Sequence, residues 1–241
     1  MKPLYAPKGR AREYGDYAVN IYTGCPHRCY YCFAPQVLHR EREAFHSRIE
    51  PRPGIVDALK KQIEHEDISG KLIHLCFTCD PYPSNCCTNT TTREVIQALK
   101  ESGNHVQILT KGDGRRDFDL LDGEDWYGVT ISCNTALAKE MEPGAISPLS
   151  RLQVLEYAKS LGIKTWVPFE PVLDDEAIIR CIKEYVHLFD KVKIGKLNYH
   201  PSNIDWSCFG TRIENLCKYL GIDYYIKESL RAEMVGGADE Q

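Results

Sequence analysis

Cys25, Cys29 and Cys32 fall within eight positions in the stretch TGCPHRCYYCFAP, residues 23–35. The spacing is Cys-x3-Cys-x2-Cys, and the aromatic Tyr31 stands just before the third thiol. Zinc sites usually come as two close pairs, and dithiol redox motifs as a single pair. Three thiolates can instead hold three irons of a four-iron cubane, leaving the fourth iron without a protein ligand. An open iron is a reactive position, by the logic that leaves a catalytic zinc one exchangeable site. Zinc is the alternative, with His27 inside the loop or His39 beyond it as a fourth ligand.

Further residues suited to chemistry recur at intervals along the chain. Cys76, Thr78, Cys79 and Asp80 come together, followed by Cys86 and Cys87. A second iron–sulfur cluster on Cys76, Cys79, Cys86 and Cys87 is one reading, although adjacent side chains such as Cys86 and Cys87 diverge. Cys79 as a hydrogen-atom donor is another, because thiol S–H bonds are weak. Lys111 and Arg151 can each neutralise a carboxylate, and arginine can do so bidentately. Ser132 and Asn134 offer neutral hydrogen bonds, or alternatively cap the helix that follows. Glu142 reads as a residue at a helix end, and Glu170 precedes a proline. Lys196, Asn198, Tyr199 and His200 bring a cation, an amide and two rings to one short segment, suited to substrate contact. The first residues carry Lys2, Lys8, Arg10 and Arg12 with Tyr5 and Tyr14, a mixture that suits phosphate and stacked bases.

These residues need elements to position them. Short runs rich in Val, Ile, Leu, Tyr and Phe predict strands at 17–22, 72–77, 105–110, 127–132, 164–169 and 191–195, with a weaker one at 223–226. Amphipathic stretches between them predict helices with readable ends. A capping box is expected at Thr91 and Glu94, a Ser147–Pro148 helix start, another start at Asp174, and a stop at Gly221. Six strand–helix units in one order imply an α/β fold with a parallel sheet. The expected architecture is a partial (β/α)6 TIM-like barrel with helices outside; a flat doubly wound sheet is the runner-up. Either places chemistry at the carboxyl ends of the strands, where the cysteine loop, residues 78–80, Lys111, Ser132, Asn134, Glu170 and residues 196–200 fall. The expected organisation is an N-terminal arm (1–16), one barrel domain (17–233) and a disordered tail (234–241).

Composition limits the function. The chain has 241 residues, 43% hydrophobic and 27% charged, enough to bury a core without disulfide staples. A formal charge of -4 gives no global attraction to nucleic acid or to anionic membrane. No apolar run is long enough to span a bilayer, and the first residues lack the apolar core of a signal peptide. A reducing, cytoplasmic setting is therefore expected, and there eleven cysteines point to metal rather than disulfides.

Cys-x3-Cys-x-aromatic-Cys after the first strand of such a chain resembles the radical S-adenosylmethionine (SAM) superfamily. That resemblance implies that Cys25, Cys29 and Cys32 bind a [4Fe-4S] cluster whose open iron chelates SAM. It also implies reductive cleavage of SAM to a 5′-deoxyadenosyl radical that abstracts hydrogen from a substrate. Tyr31 would lie near the adenine. The set Thr78-Cys79-Asp80, Leu109-Thr110-Lys111, Ile131-Ser132-Cys133-Asn134, Glu142-Pro143-Gly144, Arg151 and Glu170-Pro171 resembles the spore photoproduct lyase-like branch. By that resemblance Lys111, Ser132 and Arg151 hold the ribose or carboxylate of SAM, and Thr78, Cys79 and Asp80 approach its methionine half. Asn134 and Glu170 join the cofactor site. An external electron donor of the flavodoxin or ferredoxin type is implied.

The expected function is hydrogen abstraction from a nucleobase, nucleotide or DNA. The alternatives are the same radical step on a peptide, protein or small metabolite, and a non-catalytic iron–sulfur or zinc redox sensor.

Overall fold

The parallel strands expected from the apolar runs form, and they pair in the order in which they occur. The computed structural model describes residues 2–84 and 90–236. Its strands are β1 (Leu4–Tyr5), β2 (Tyr17–Val19), β3 (Leu72–Leu75), β4 (His105–Thr110), β5 (Trp126–Val129), β6 (Lys164–Phe169), β7 (Lys191–Ile194) and β8 (Asp223–Ile226). They make one eight-stranded sheet in sequence order, antiparallel between β1 and β2 and parallel from β2 onward. The helices are α1 (Ala34–Val37), α2 (Arg42–Ser47), α3 (Ile55–Glu66), α4 (Thr91–Glu101), α5 (Thr135–Met141), α6 (Pro148–Ser160), α7 (Asp175–Tyr185), α8 (Trp206–Leu220) and α9 (Glu228–Gly236). This is an α/β partial barrel, with β1 and β8 as its two unpaired edges.

The period-two alternation of the strands separates two environments. Ile73 and Leu75 of β3 join Ile96 and Leu99 of α4 in the main apolar core, between sheet and helices. His74, between them in sequence, meets Gln107 of β4, its Nδ1–H donating to Oε1 at 2.9 Å. Burial lowers the imidazole pKa of His74 to about 4, so this ring is a neutral core histidine.

The helix ends follow the sequence closely. Ser147, Asp174 and Asn134 accept from backbone amides three residues on, at 3.1, 2.9 and 3.0 Å. Gly221 ends α8 at φ 66, a conformation that costs a glycine least. The expected cap at Thr91 is displaced by one residue. The Glu94 amide donates to the Thr90 carbonyl at 2.9 Å, so Thr91 is already helical and Thr90 precedes the helix.

The weaker strand expected at 223–226 forms as β8, pairs in register with β7 and is followed by α9. The polar Asp223 and the two tyrosines of β8 weaken its apolar signal. β1 has two residues, too short for periodicity to reveal.

Candidate active site

The three-cysteine loop follows β2 and is strapped from outside by α2. Arg42 Nη2 donates to the Cys29 and Tyr30 carbonyls at 2.5 and 3.1 Å, and Nη1 to that of Cys32 at 3.5 Å. His46 Nδ1–H donates to the Cys25 carbonyl at 2.7 Å. Two glycines allow the close approach. A Cβ on Gly24 would lie 2.3 Å from the Phe45 carbonyl oxygen, and one on Gly144 would lie 2.2 Å from that of Pro26. The Gly144 amide also donates to the His27 carbonyl at 3.0 Å, which ties the loop to the segment after α5.

Burial raises the pKa of all three thiols, that of Cys29 to about 12. The Lys111 ammonium opposes that rise at Cys29 and Cys32. Metal coordination removes such protons outright. The residues present fit an iron–sulfur cluster. Each thiolate of a cubane binds a different iron, so its sulfurs stay apart. Among the described residues, the His/Cys/acid trio gathered within 4.8 Å is not the cysteines but His105, Asp122 and Asp125. There the Lys100 ammonium already lies 2.7 and 2.6 Å from the two carboxylates. Within the loop, His27 Nε2 is buried without a protein hydrogen-bond partner, as expected beside a bound group.

Asp80 organises the neighbouring strand ends. Its carboxylate accepts from Thr110 Oγ1 at 2.6 Å and from the Tyr82 and Lys111 amides at 2.8 Å each. His27 Nδ1 lies 3.4 Å away. Burial lowers the His27 pKa despite Asp80, so this contact joins a neutral ring to a carboxylate. These hydrogen bonds fix the backbone that carries Lys111.

Lys111 holds its Nζ 5.5 Å from the centre of the Tyr31 ring. The Tyr31 hydroxyl lies 3.1 Å from Ser132 Oγ and donates to Glu142. Glu142 in turn receives Arg151 Nη2 at 2.5 Å. Arg151 also donates to the Ile146 and Thr130 carbonyls at 2.8 and 2.9 Å. Burial alone would raise the Glu142 carboxyl; Lys111, Arg151 and the Tyr31 and Arg151 hydrogen bonds outweigh it and hold the pKa below the usual range. The structure therefore brings Tyr31, Lys111, Ser132 and the cysteine loop together, with Arg151 behind Glu142. Sequence reasoning treated Glu142 as a helix-end residue. Its signal was present as an acid nine positions before a buried-helix arginine.

The other candidates make contacts of their own. Cys79 Sγ accepts from the Tyr22 amide at 3.4 Å, and the residue packs against the core. Cys86 and Cys87 lie outside the described residues. The amides of Phe77 and Thr78 donate to Asn20 Oδ1 at 2.8 and 2.9 Å, a support the sequence did not suggest. Asn134 caps α5 and donates to Asp174 at 2.7 Å. Lys196 pairs with Glu233, and Asn198 Nδ2 donates to the Lys196 carbonyl at 3.0 Å. Tyr199 stands 84% exposed at φ 65, and His200 meets the Tyr30 ring at 4.9 Å. The last contact joins the β7 loop to the cysteine loop.

Glu170 turns to a different network. It accepts from Tyr14, and Lys227 Nζ donates to it at 2.7 Å. Lys227 also pairs with Glu13 at 3.1 Å, and Lys193 donates to the Glu13 carbonyl. Lys193 Nζ lies 4.1 Å from the centre of the Tyr14 ring, which also packs on His74, Phe77 and Trp166. The expectation that Tyr5 and Tyr14 belong to a base-stacking arm fails here. Tyr14 is inside the barrel, and the Tyr5 hydroxyl accepts from Asn20 Nδ2 at 2.7 Å.

The fold and this loop define a class: parallel α/β barrels that carry a three-cysteine motif after the first barrel strand. The Radical SAM superfamily sequence profile matches residues 19–188. The chain belongs to that superfamily. The "Uncharacterized protein ORF301" of Acidianus two-tailed virus is 28% identical over 197 residues, covering 76% of this chain and 65% of that protein. The "Uncharacterized protein Rv2578c" of Mycobacterium tuberculosis is 28% identical over 170 residues, covering 65% and 49%. The chain thus spans half to two thirds of these curated relatives. Among solved structures, spore photoproduct lyase complexed with dinucleoside spore photoproduct superposes with a TM-score of 0.68 at 13% identity, covering 92% of this chain and 79% of that one. Streptococcus suis SuiB bound to S-adenosylmethionine gives 0.63 at 10% identity, covering 87% and 45%. These likenesses are of fold.

Proposed function

We propose that the protein cleaves SAM reductively and uses the resulting radical to abstract hydrogen from a nucleobase, nucleotide or DNA. In this reading Cys25, Cys29 and Cys32 hold a [4Fe-4S] cluster. When bound, that cluster would supply the electron that splits SAM into methionine and the 5′-deoxyadenosyl radical. The reductant is an external one-electron donor.

One observation carries the reading. Lys111 places an ammonium at the β4 end, beside the cysteine loop and over Tyr31; its charge helps hold the Glu142 carboxyl low, but no carboxylate among the described residues lies within ion-pair distance of it. A strand-end cation of this kind suits the SAM carboxylate. Ser132 Oγ and the Tyr31 ring stand next to it for the neutral and aromatic parts. Arg151 is wholly engaged by Glu142, Thr130 and Ile146, so its part is to position Tyr31 through Glu142 rather than to touch SAM. Asp80 fixes the Lys111 backbone. Burial of the loop excludes water from the reacting groups.

The nucleotide class of substrate is supported by the fold shared with spore photoproduct lyase in complex with a dinucleoside. Lys196, Asn198, Tyr199 and His200 follow β7, with His200 against Tyr30 of the cysteine loop, and are the candidate substrate contacts.

Anaerobic reconstitution with iron and sulfide, followed by SAM and dithionite, tests the first part. We expect about four irons per chain and 5′-deoxyadenosine, both lost in Cys29→Ala. SAM left intact by the iron-loaded protein would sink it. Oligonucleotide binding at several salt concentrations tests the second part; an affinity that falls with salt is expected, and a flat profile argues against phosphate contacts.

A further inference from the structure

A second pair of cysteines lies outside the cysteine loop, in the turn that leaves β3. Cys76 and Cys79 stand at Cys-x2-Cys spacing. Cys76 adopts φ 69, in the left-handed region that a residue other than glycine enters at a cost. Its amide donates to the Val19 carbonyl at 2.9 Å, which anchors the turn to β2. Cys76 is buried and Cys79 is partly exposed.

The turn brings the two sulfurs together. Both accept from the Ile21 amide, and Cys79 Sγ accepts also from the Tyr22 amide at 3.4 Å. Two sulfurs on one N–H are neighbours, and the Cys76 thiol donates to Cys79. The Arg52 guanidinium adds its charge at Cys79, and its Nε is buried without a hydrogen-bond partner. Burial alone would raise the pKa of Cys79; the Cys76 thiol, the two amides and Arg52 outweigh it and hold that pKa below the usual thiol value. Burial first, and then Cys79, push the pKa of Cys76 well up. The thiols of the cysteine loop also move up, opposite to Cys79. A sulfur favoured as thiolate beside a protonated thiol is the arrangement that supports thiol–disulfide exchange.

We propose that Cys76 and Cys79 form a reversible dithiol–disulfide couple, with Cys79 as the attacking thiol, Cys76 as the resolving thiol and a low-molecular-weight disulfide as the oxidant. The proposal goes beyond the radical SAM reading and does not rest on it. The Cys79 thiolate attacks one sulfur of the oxidant and releases the other as a thiolate. The Cys76 sulfur then attacks Cys79 and displaces the bound half of the oxidant, which takes up the Cys76 proton. The S–S bond between Cys76 and Cys79 forms and that of the oxidant breaks. Two electrons pass from the protein to the oxidant, which leaves as one thiolate and one thiol.

The test uses the full, iron-loaded chain carrying Cys86→Ser and Cys87→Ser, so that the tryptic peptide 72–93 holds only this pair. The protein is equilibrated without oxygen in glutathione buffers of rising disulfide content, then alkylated, digested and weighed by mass spectrometry. In the reduced buffer, iodoacetamide should label Cys79 at least about tenfold faster than Cys76. In the most oxidising buffer the peptide should take up no alkyl group and weigh two hydrogens less. Dithiothreitol should restore both thiols. With Cys76→Ser added, Cys79 should keep one bound glutathione, because the resolving thiol is gone; with Cys79→Ser added, Cys76 should stay unmodified. Two alkylatable thiols in the most oxidising buffer would overturn the couple. Glutathione retained on Cys76 in the Cys79→Ser chain would overturn the assignment of the attacking thiol.

Discussion

Glu142 and Arg151 form an ion pair at 2.5 Å in which both side chains are wholly buried. Removing one partner of such a pair strands the other charge in a desolvated place. Glu142→Gln should therefore cost about 3–5 kcal/mol of stability, read as a lower urea midpoint at unchanged slope. The remaining amide oxygen can accept from Arg151 or from the Tyr31 hydroxyl, but the second acceptor is lost. A midpoint within error of wild type would mean that Arg151 finds another partner, and the positioning role given to Glu142 would be wrong.

Lys111 is assigned to the SAM carboxylate, so its loss should be felt in binding before catalysis. Lys111→Met should weaken SAM binding roughly thirty-fold, about 2 kcal/mol. Equilibrium dialysis with labelled SAM on the iron-loaded protein reads this directly. Iron content should stay the same, because Lys111 is not a ligand. Unchanged SAM affinity would move the carboxylate site elsewhere.

The cysteine loop depends on a glycine outside it. Gly144→Ala would push a methyl group to within 2.2 Å of the Pro26 carbonyl. The neighbour is backbone, so the loop itself must move. We expect lower iron incorporation with the far-ultraviolet circular dichroism unchanged. Full incorporation in this variant would show that the loop closes without that contact.

Lys193 gives a pH signature. Burial first, then the like charge of Lys227, lowers its pKa from 10.5 to about 8. Below pH 8 the amine is charged in both folded and unfolded chains, and the folded state carries the full cost of burying it. Between about 8 and 10.5 the folded chain is neutral at this site while the unfolded chain still holds the proton. Stability should thus rise with pH through that window, by up to about 3 kcal/mol relative to Lys193→Met. Parallel pH profiles for the two proteins would refute the shift.

How far the sequence carried the argument can be judged from these same residues. The cysteine loop was legible because three thiols at fixed spacing admit few chemistries. β4 and β6 were legible to the residue, since their apolar runs are long and end in polar strand-end groups. Asn134 and Ser147 were readable as caps from local chemistry alone. Asp80 and Glu142 were harder, because what they do depends on partners 30 and 9 positions away. The interior network of Glu13, Tyr14, Glu170, Lys193 and Lys227 was not legible at all. Its one clue is Lys193, a cation between the apolar Val192 and Ile194 of a buried strand. Such a residue must find partners on the same face, and the sequence does not say from where.

Those partners come from opposite ends of the chain. Tyr14 meets Glu170 across 156 positions, Glu13 meets Lys193 across 180, and Glu13 meets Tyr225 across 212. Each joins an early residue to a late one, so their loop-closure cost is met only once almost the whole barrel is ordered. During synthesis the residues made first must wait for β7 and β8 before their charged and aromatic groups are paired. This interior network is therefore complete only when both ends of the described chain are in place.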